Sequence, residues 1–517
     1  MKLNYRRTIL VGFAFFLICS FWQAYDNTIP LILTNKFGMR QTWSGLIMAI
    51  DNILALFMLP LFGAISDKFK SRHGRRTPFI VCGTILAATM LICLAFVDAV
   101  QLKKLKNVST IDDPAALAEI YEKEAEEELM TPSGESFTLK EKYTKEAFAA
   151  IRSQKEENGK TVTNHEYTNY VVPARQAYAH ATTAAEPGAL VFFMLILMIM
   201  LLSMSVFRSP AVALMPDVTI KPLRSKANAV INLMGTAGGM LVLGLGIVFK
   251  TSSIKNSMMN YMMYFAAVAA VMLLALLVFM LTVKEPKWAE EMRQDSVKYG
   301  IDETIEEATT GSRKLNAAEK RSLLFILLSI VLWFFGYNAV TSKYSVYATN
   351  ILHKDYNTTL LIAQGAAIVS YLPVGIIASK VGRKKSILAG VLTLTVAFGA
   401  ASLMNSDSPT LLMNILFALA GIGWATINVN SFPMVVELAS GGNIGKYTGF
   451  YYTASMAAQV ATPIVSGYLM DRFGMRVLFP YAAVFVCIAF GTMLLVKHGD
   501  SKPEAKKGLE ALEGAED

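Results

Sequence analysis

Twelve uninterrupted apolar blocks dominate this sequence and constrain its fold more than any motif does. They run 8–33, 43–65, 78–97, 190–215, 227–249, 258–283, 322–340, 359–379, 386–404, 411–436, 447–469 and 477–496. Each is roughly 19 to 26 residues long, the length an α-helix needs to cross a hydrocarbon core about 30 Å thick. A segment in lipid must satisfy its backbone hydrogen bonds internally, so such runs specify helices. With a mean hydropathy of +0.43 and only 17% charged residues, the chain falls well below the quarter or so that soluble domains carry. An ordinary globular enzyme is excluded. The expected fold is an all-α integral membrane protein with 12 transmembrane helices.

The net charge of +9 invites a nucleic-acid reading, but its placement speaks of topology. Of the 48 Lys and Arg, 28 fall in segments on the same side as the N-terminus, against 8 in the short loops opposite and 11 in one long insertion. Positive charge stays on the cytoplasmic side of inserted helices. Both termini are therefore expected in the cytoplasm, with the chain multi-pass in the plasma membrane and no nucleic-acid partner. The start MKLNYRR, followed directly by a 26-residue apolar run without an A-x-A site, is expected to be a retained helix. Cys19, Cys82, Cys93 and Cys487 all lie inside apolar blocks without metal-ligand spacing, so no disulfide framework, metal or cofactor is expected. No nucleophile–base pair stands out. All five histidines (His73, His165, His180, His353, His498) lie in loops or tails, away from any proton path through the bundle.

Two polar stretches divide the chain. Residues 1–283 form a first six-helix bundle, interrupted at 98–189 by an insertion placed outside. Runs at 115–129 and 138–152, with the acidic cluster Glu122, Glu124, Glu126, Glu127 and Glu128, predict a solvated helical hairpin or cap. A substrate-capturing lid is the alternative. Residues 284–321 form a charged cytoplasmic linker, 322–497 a second six-helix bundle, and 498–517 a polar cytoplasmic tail.

The two halves repeat weakly. Gly63-Ala-Ile-Ser-Asp67-Lys-Phe-Lys-Ser-Arg72-His-Gly74-Arg75-Arg76-Thr-Pro78 precedes the third span, and Gly375-Ile-Ile-Ala-Ser379-Lys-Val-Gly382-Arg383-Lys384-Lys385 precedes the ninth. The fourth span ends in Pro216-Asp217 and the tenth in Val436-Glu437, each followed by a base, Arg224 or Lys446. A repeated six-helix unit is the signature of an alternating-access transporter.

The 63–78 string resembles the loop signature of the major facilitator superfamily. Together with FRSPAVALMPDVTIKPLRSKANAVINLMG and WFFGYNAV, it looks like the bacterial relatives of the sucrose–proton symporters, near the glycoside–pentoside–hexuronide cation symporters. The resemblance covers all twelve spans but not the 98–189 insertion. It implies two halves rocking about a central site, symport of a sugar or glycoside with H⁺ (or Na⁺), and one chain working as a monomer in the bilayer. It also implies a cytoplasmic latch, which assigns gating roles to Asp67, Arg75, Arg76, Asp217, Arg224 and Glu437. Ser379 stands where the first half has Asp67.

Ionisable residues inside spans are costly, roughly 2.5–3.5 kcal/mol for Asp at a helix centre, and usually face a cavity or a partner. Asp26 and Asp51 both fall about 11–12 Å below the outer boundary at 1.5 Å per residue. Adjacent antiparallel helices would present them at one depth, for proton exchange or, with Asn27 and Asn52, as an oxygen-rich Na⁺ site. The other reading is that one Asp merely caps or pairs within the bundle. Gln23, Asp26 and Asn27 share a helical face. Arg208, grouped with the gating residues, is the only base deep in a span, about 13 Å from Asp217 along the helix. That depth matches neither acid, so both a switched pair and bonds to substrate or backbone stay open. In the second half Trp333, Tyr337, Asn338, Trp424 and Gln459 suit a pyranose, which has an apolar face and a hydroxyl rim, although a Trp in a bundle is more often packing. An exporter of drugs or metabolites would want a more uniformly apolar cavity, and a non-transporting sensor would rely on the insertion.

Overall fold

The computed structural model describes residues 3–157, 159–220, 223–299, 316–438 and 444–499. Twelve long helices carry the architecture: α1 (Tyr5–Asn35), α2 (Gln41–Lys68), α3 (Thr77–Lys104), α4 (Gly188–Asp217), α5 (Arg224–Phe249), α6 (Met262–Thr282), α7 (Ala317–Tyr347), α8 (Tyr356–Val381), α9 (Arg383–Ala401), α10 (Thr410–Val436), α11 (Ile444–Phe473) and α12 (Leu478–Leu494). Among the described residues, ten helices are long and apolar enough to cross a membrane.

Most helices outrun their apolar blocks because polar residues finish their ends. Asn4 accepts from Arg7 N at 3.1 Å to start α1. Asn316 and Glu319 form a capping box on α7, and Asp355 caps α8. Gly382, at φ +98°, lets α8 turn directly into α9. Prolines sit inside α1, α2, α4, α8, α10 and α11. A packed bundle tolerates them because neighbouring helices satisfy the freed carbonyls.

The apolar side chains separate into two cores. One joins Phe15, Leu91, Leu201, Phe207 and Phe265 of α1–α6, and the other joins Ile330, Trp333, Phe398 and Phe479 of α7–α12. The two halves meet where α2 runs beside α11, α5 beside α8 and α1 beside α7. One end of the bundle carries the start of α1, the end of α12 and the linker helix Glu285–Lys298 (the terminus face). The opposite end carries the insertion (the cap face).

The insertion is not the purely helical hairpin that its sequence suggests. Helix Pro114–Glu124 stops before the end of the 115–129 run. Strand β1 (Leu129–Met130) then pairs with β2 (Ser136–Phe137) across a turn containing Pro132 and Gly134. The 138–152 run breaks into helices Leu139–Lys142 and Lys145–Ala149, because extended Tyr143 ends the first and Thr144 caps the second. Strands β3 (Gln154–Glu157) and β4 (Lys160–Thr163) form another hairpin before helix Val172–Ala185. Leu117, Ile120, Phe148 and Tyr167 give this cap its own small core. Glu124, counted in the acidic cluster, is buried.

The cap is rooted by a fully buried ion pair. Lys36 Nζ donates to both carboxylate oxygens of Asp98 and to Met259 O, each at 2.6 Å, which carries α3 past the end of its apolar block.

Candidate functional site

A central cavity of about 190 Å³ lies between the halves. From the first half it is lined by Trp22 and Asp26 of α1, Met48, Asp51 and Asn52 of α2, and Arg208 of α4. From the second half come Asn338, Thr341 and Ser342 of α7, with Gln459 and Pro463 of α11. The first half thus contributes two carboxylates and a guanidinium, while the second contributes amides and hydroxyls.

Asp26 and Asp51 reach the cavity from antiparallel neighbours, and Asn52 Nδ2 donates to Asp51 Oδ1 at 2.9 Å. Arg208 lies in the same cavity wall rather than at a gate, over the Trp22 ring at 5.7 Å. Depth counted along one helix axis separated it from the acids. That count ignores helix tilt and the reach of a long side chain, and Pro210 and Pro216 follow Arg208 in α4. Trp22 Nε1 and Asn338 Nδ2 are buried without a protein partner. Buried polar groups of this kind want a water or a polar solute.

The other candidates divide. Gln23 Oε1 accepts from Gln364 Nε2 at 2.6 Å, a bond between the halves at mid-bundle. Asn27 donates back to Gln23 O of its own helix at 2.9 Å and does not line the cavity. Trp333 is 0% exposed within the second core and does not line the cavity, although its Nε1, like that of Trp22, is buried without a protein partner. Tyr337 and Trp424 stack face to face, centroids 3.6 Å apart and 2° from parallel, and neither lines the cavity. Sequence reasoning missed Trp22, Thr341 and Ser342. The last two follow Asn338 by three and four residues on α7, the spacing of a shared face.

On the terminus face Arg75 grips Asp217 through Nε and Nη2 at 3.0 and 2.5 Å, and Arg76 Nε reaches the same carboxylate at 2.7 Å. Arg76 also pairs with Asp67 and Ser66. Glu285, absent from the sequence candidates, accepts from Arg75 N, Arg76 N and Thr77 N and from Thr77 Oγ1, at 2.7 to 2.9 Å. It thereby caps α3 from the linker helix. Gly74, at φ +107°, is required there because a Cβ would lie 2.2 Å from Glu285 Cδ. Arg224 donates to Thr219 O and Pro216 O, each at 3.1 Å, at the end of α4. In the second half Arg383 pairs with Glu437. Each of these contacts lies within one half.

The cap face is tied across the halves. Ser252 donates to Asp355 at 2.6 Å, Tyr356 to Thr251 at 2.8 Å, and Met475 N to Pro132 O of the cap at 2.7 Å. His353 bonds Thr168 of the cap at 3.0 Å and packs beside His165.

The profile of the Major Facilitator Superfamily matches residues 11–105, 177–456 and 356–514, which leaves the middle of the insertion unmatched. Among curated relatives, the MFS-type transporter ppzB of Metarhizium rileyi is 26% identical over 132 residues, 26% of this chain and 27% of that protein. The general alpha-glucoside permease of Schizosaccharomyces pombe is 30% identical over 61 residues, 12% of this chain and 11% of the permease. The first relatives are thus matched over about a quarter of their length. Among solved structures, a D-xylose–proton symporter superposes with a TM-score of 0.59 at 14% identity, covering 96% of this chain and 99% of the other. The inward-open Escherichia coli xylose transporter XylE gives 0.57 at 15% over 99% of each chain. The nucleoside transporter NupG gives 0.51 at 14%, over 96% of this chain and 100% of the other.

Proposed function

The chain belongs to the Major Facilitator Superfamily, and from that premise we propose that it is a symporter that moves a sugar or glycoside with H⁺ across the plasma membrane by alternating access. One observation carries the reading: Asp26, Asp51 and Arg208 share a cavity whose opposite wall is built from Asn338, Thr341, Ser342 and Gln459. Two carboxylates and one guanidinium leave one uncompensated negative charge. Keeping a net charge in a cavity walled by apolar helices is costly, and binding one cation removes it. A neutral polyol then meets amides and hydroxyls that exchange hydrogen bonds with its hydroxyl groups. Na⁺ at Asp51 and Asn52 would satisfy the same balance, but a proton needs no coordination shell.

The lysine and arginine bias supports a topology with the cap face outside and both termini in the cytoplasm. The kinship in fold with a D-xylose–proton symporter, and the short match to an alpha-glucoside permease, point the same way. A single chain contains both walls of the cavity, which suits a working monomer.

The test is uptake into proteoliposomes with a panel of sugars under an imposed pH or Na⁺ gradient. The expected result is accumulation driven by the pH gradient. Asp26→Asn or Asp51→Asn should abolish it while leaving sugar exchange intact. Sugar flux indifferent to both gradients and both substitutions would leave a uniporter, and absence of any sugar flux would point to another solute or to export.

A further inference from the structure

Two acidic side chains outside the cavity bridge the halves at the cap face, Asp355 through Ser252 and Asp471 through the start of α2. Asp471, in the last turn of α11, accepts from Gln41 N at 2.8 Å, from Thr42 N at 2.7 Å and from Thr42 Oγ1 at 2.5 Å. Gln41 and Thr42 are the first residues of α2. The residue before them, Arg40, supplies no side-chain cap of its own. The first turn of a helix exposes unsatisfied N–H groups and the positive end of the helix dipole. Here the capping carboxylate comes from the other half of the molecule, so finishing α2 and joining the halves are one event.

Neighbouring residues hold the same point. Lys343 of α7 is 0% exposed and donates to Gln41 O at 2.7 Å, so the second half grips Gln41 by both its N–H and its carbonyl. The backbones touch: a Cβ on Gly467 would fall 2.3 Å from Gln41 O, and one on Gly45 would fall 2.0 Å from Pro463 O. Met48 and Pro463, about one turn further along each helix, already line the cavity. The contact therefore closes this end of the cavity.

The sequence at the end of α11, Gly467-Tyr-Leu-Met-Asp471-Arg472, repeats the glycine-to-acid spacing of Gly63-Ala-Ile-Ser-Asp67-Lys68 at the end of α2. These two ends lie on opposite faces of the bundle. In the closed cap face Asp471 is engaged with the other half, while the Asp67 side chain is 57% exposed and pairs with Arg76 of its own half.

We propose that Asp471 is the gating residue of the cap face: its carboxylate clamps the N-terminus of α2, and this face of the cavity opens when Asp471 leaves α2 for Lys343, which grips the same residue, Gln41, from the same half. The proposal rests on the alternating-access reading but not on the identity of the solute. Lys343 and Asp471 then keep each other's charge compensated in the opened state, so the clamp releases without stranding a buried charge.

The experiment reads accessibility rather than flux. Ser342→Cys is placed in the cavity of a variant whose four natural cysteines are replaced. A bulky membrane-impermeant maleimide is then applied from the cap side, without substrate. Asp471→Ala is expected to raise the labelling rate at least tenfold, Thr42→Val to raise it less, and Asp67→Asn, at the other face, to leave it unraised. A folded Asp471→Ala protein that labels at the parent rate or slower overturns the proposal. If that variant does not fold, Asp471→Asn and Thr42→Val decide: unchanged labelling in both overturns it, and faster labelling in either supports it. Because labelling needs no transported sugar, failure of the sugar reading leaves this result independent.

Discussion

The Lys36–Asp98 pair offers the sharpest test of how the cap is held. Both side chains are completely buried, and Lys36 Nζ spends all its donors on Asp98 and Met259 O, with the Tyr261 ring 4.8 Å away. Asp98→Asn removes the counter-charge and leaves an ammonium group in a dry site. Breaking one side of a buried pair costs about 3–5 kcal/mol. At about 1 °C per kcal/mol for a cooperative unit of this length, that is a fall of roughly 3–5 °C in the unfolding midpoint. The double substitution Lys36→Met with Asp98→Leu removes both charges and is expected to recover most of the loss. The assay is thermal unfolding of the detergent-purified protein across this two-residue cycle. If Asp98→Asn melts within about 2 °C of the parent, or the double variant melts no higher than Asp98→Asn, the pair is not the root of the cap and the reasoning fails.

Three further outcomes are expected. Trp333→Ala should lower stability by about 3–5 kcal/mol with little change in the KM of the remaining folded protein, whereas Gln459→Ala should raise KM with an unchanged melting point; solute-uptake kinetics beside melting curves check both, and the reverse pattern would return Trp333 to the solute path. Glu285→Ala uncaps the start of α3 and should cost about 1–3 kcal/mol, seen in the same melts, while Glu285→Gln should recover part of it; no loss in Glu285→Ala would show that the linker helix is a passive tether. Burial, with the His165 ring beside it, pushes the His353 pKa down from 6.5 to about 4. Between those values the unfolded chain binds the proton and the folded one does not, so stability present above about pH 6.5 is lost as pH falls toward 4. Lys354 and Asp407 also act on this ring, and His353→Gln should flatten that part of the pH–stability curve.

The number and order of the spanning helices were legible because lipid tests each helix separately, whereas their lengths were not, since polar ends extend most of them. A run of 20 or so apolar residues must be a helix wherever it packs, and Asp26 and Asp51 stand out against such runs without any knowledge of their neighbours. Glu285 was not legible in this way, since a capping acid in a charged linker looks like every other acid there. The cap was legible as an insertion but not as hairpins: its short segments lack a period long enough to choose helix or strand, and the turn at Pro132 and Gly134 decided the matter.

Hydropathy is a sum along one dimension, and by itself the sequence determined what such a sum can carry: twelve spans, their repeat, their charge bias and two misplaced carboxylates. Rotation and tilt about each helix axis are set by packing against other helices. Only the tertiary structure therefore brought Arg208 beside Asp26 and Asp51, turned Trp333 into the core while Asn338, five residues on, faces the cavity, and laid Asp471 against the start of a helix 430 residues earlier in the chain.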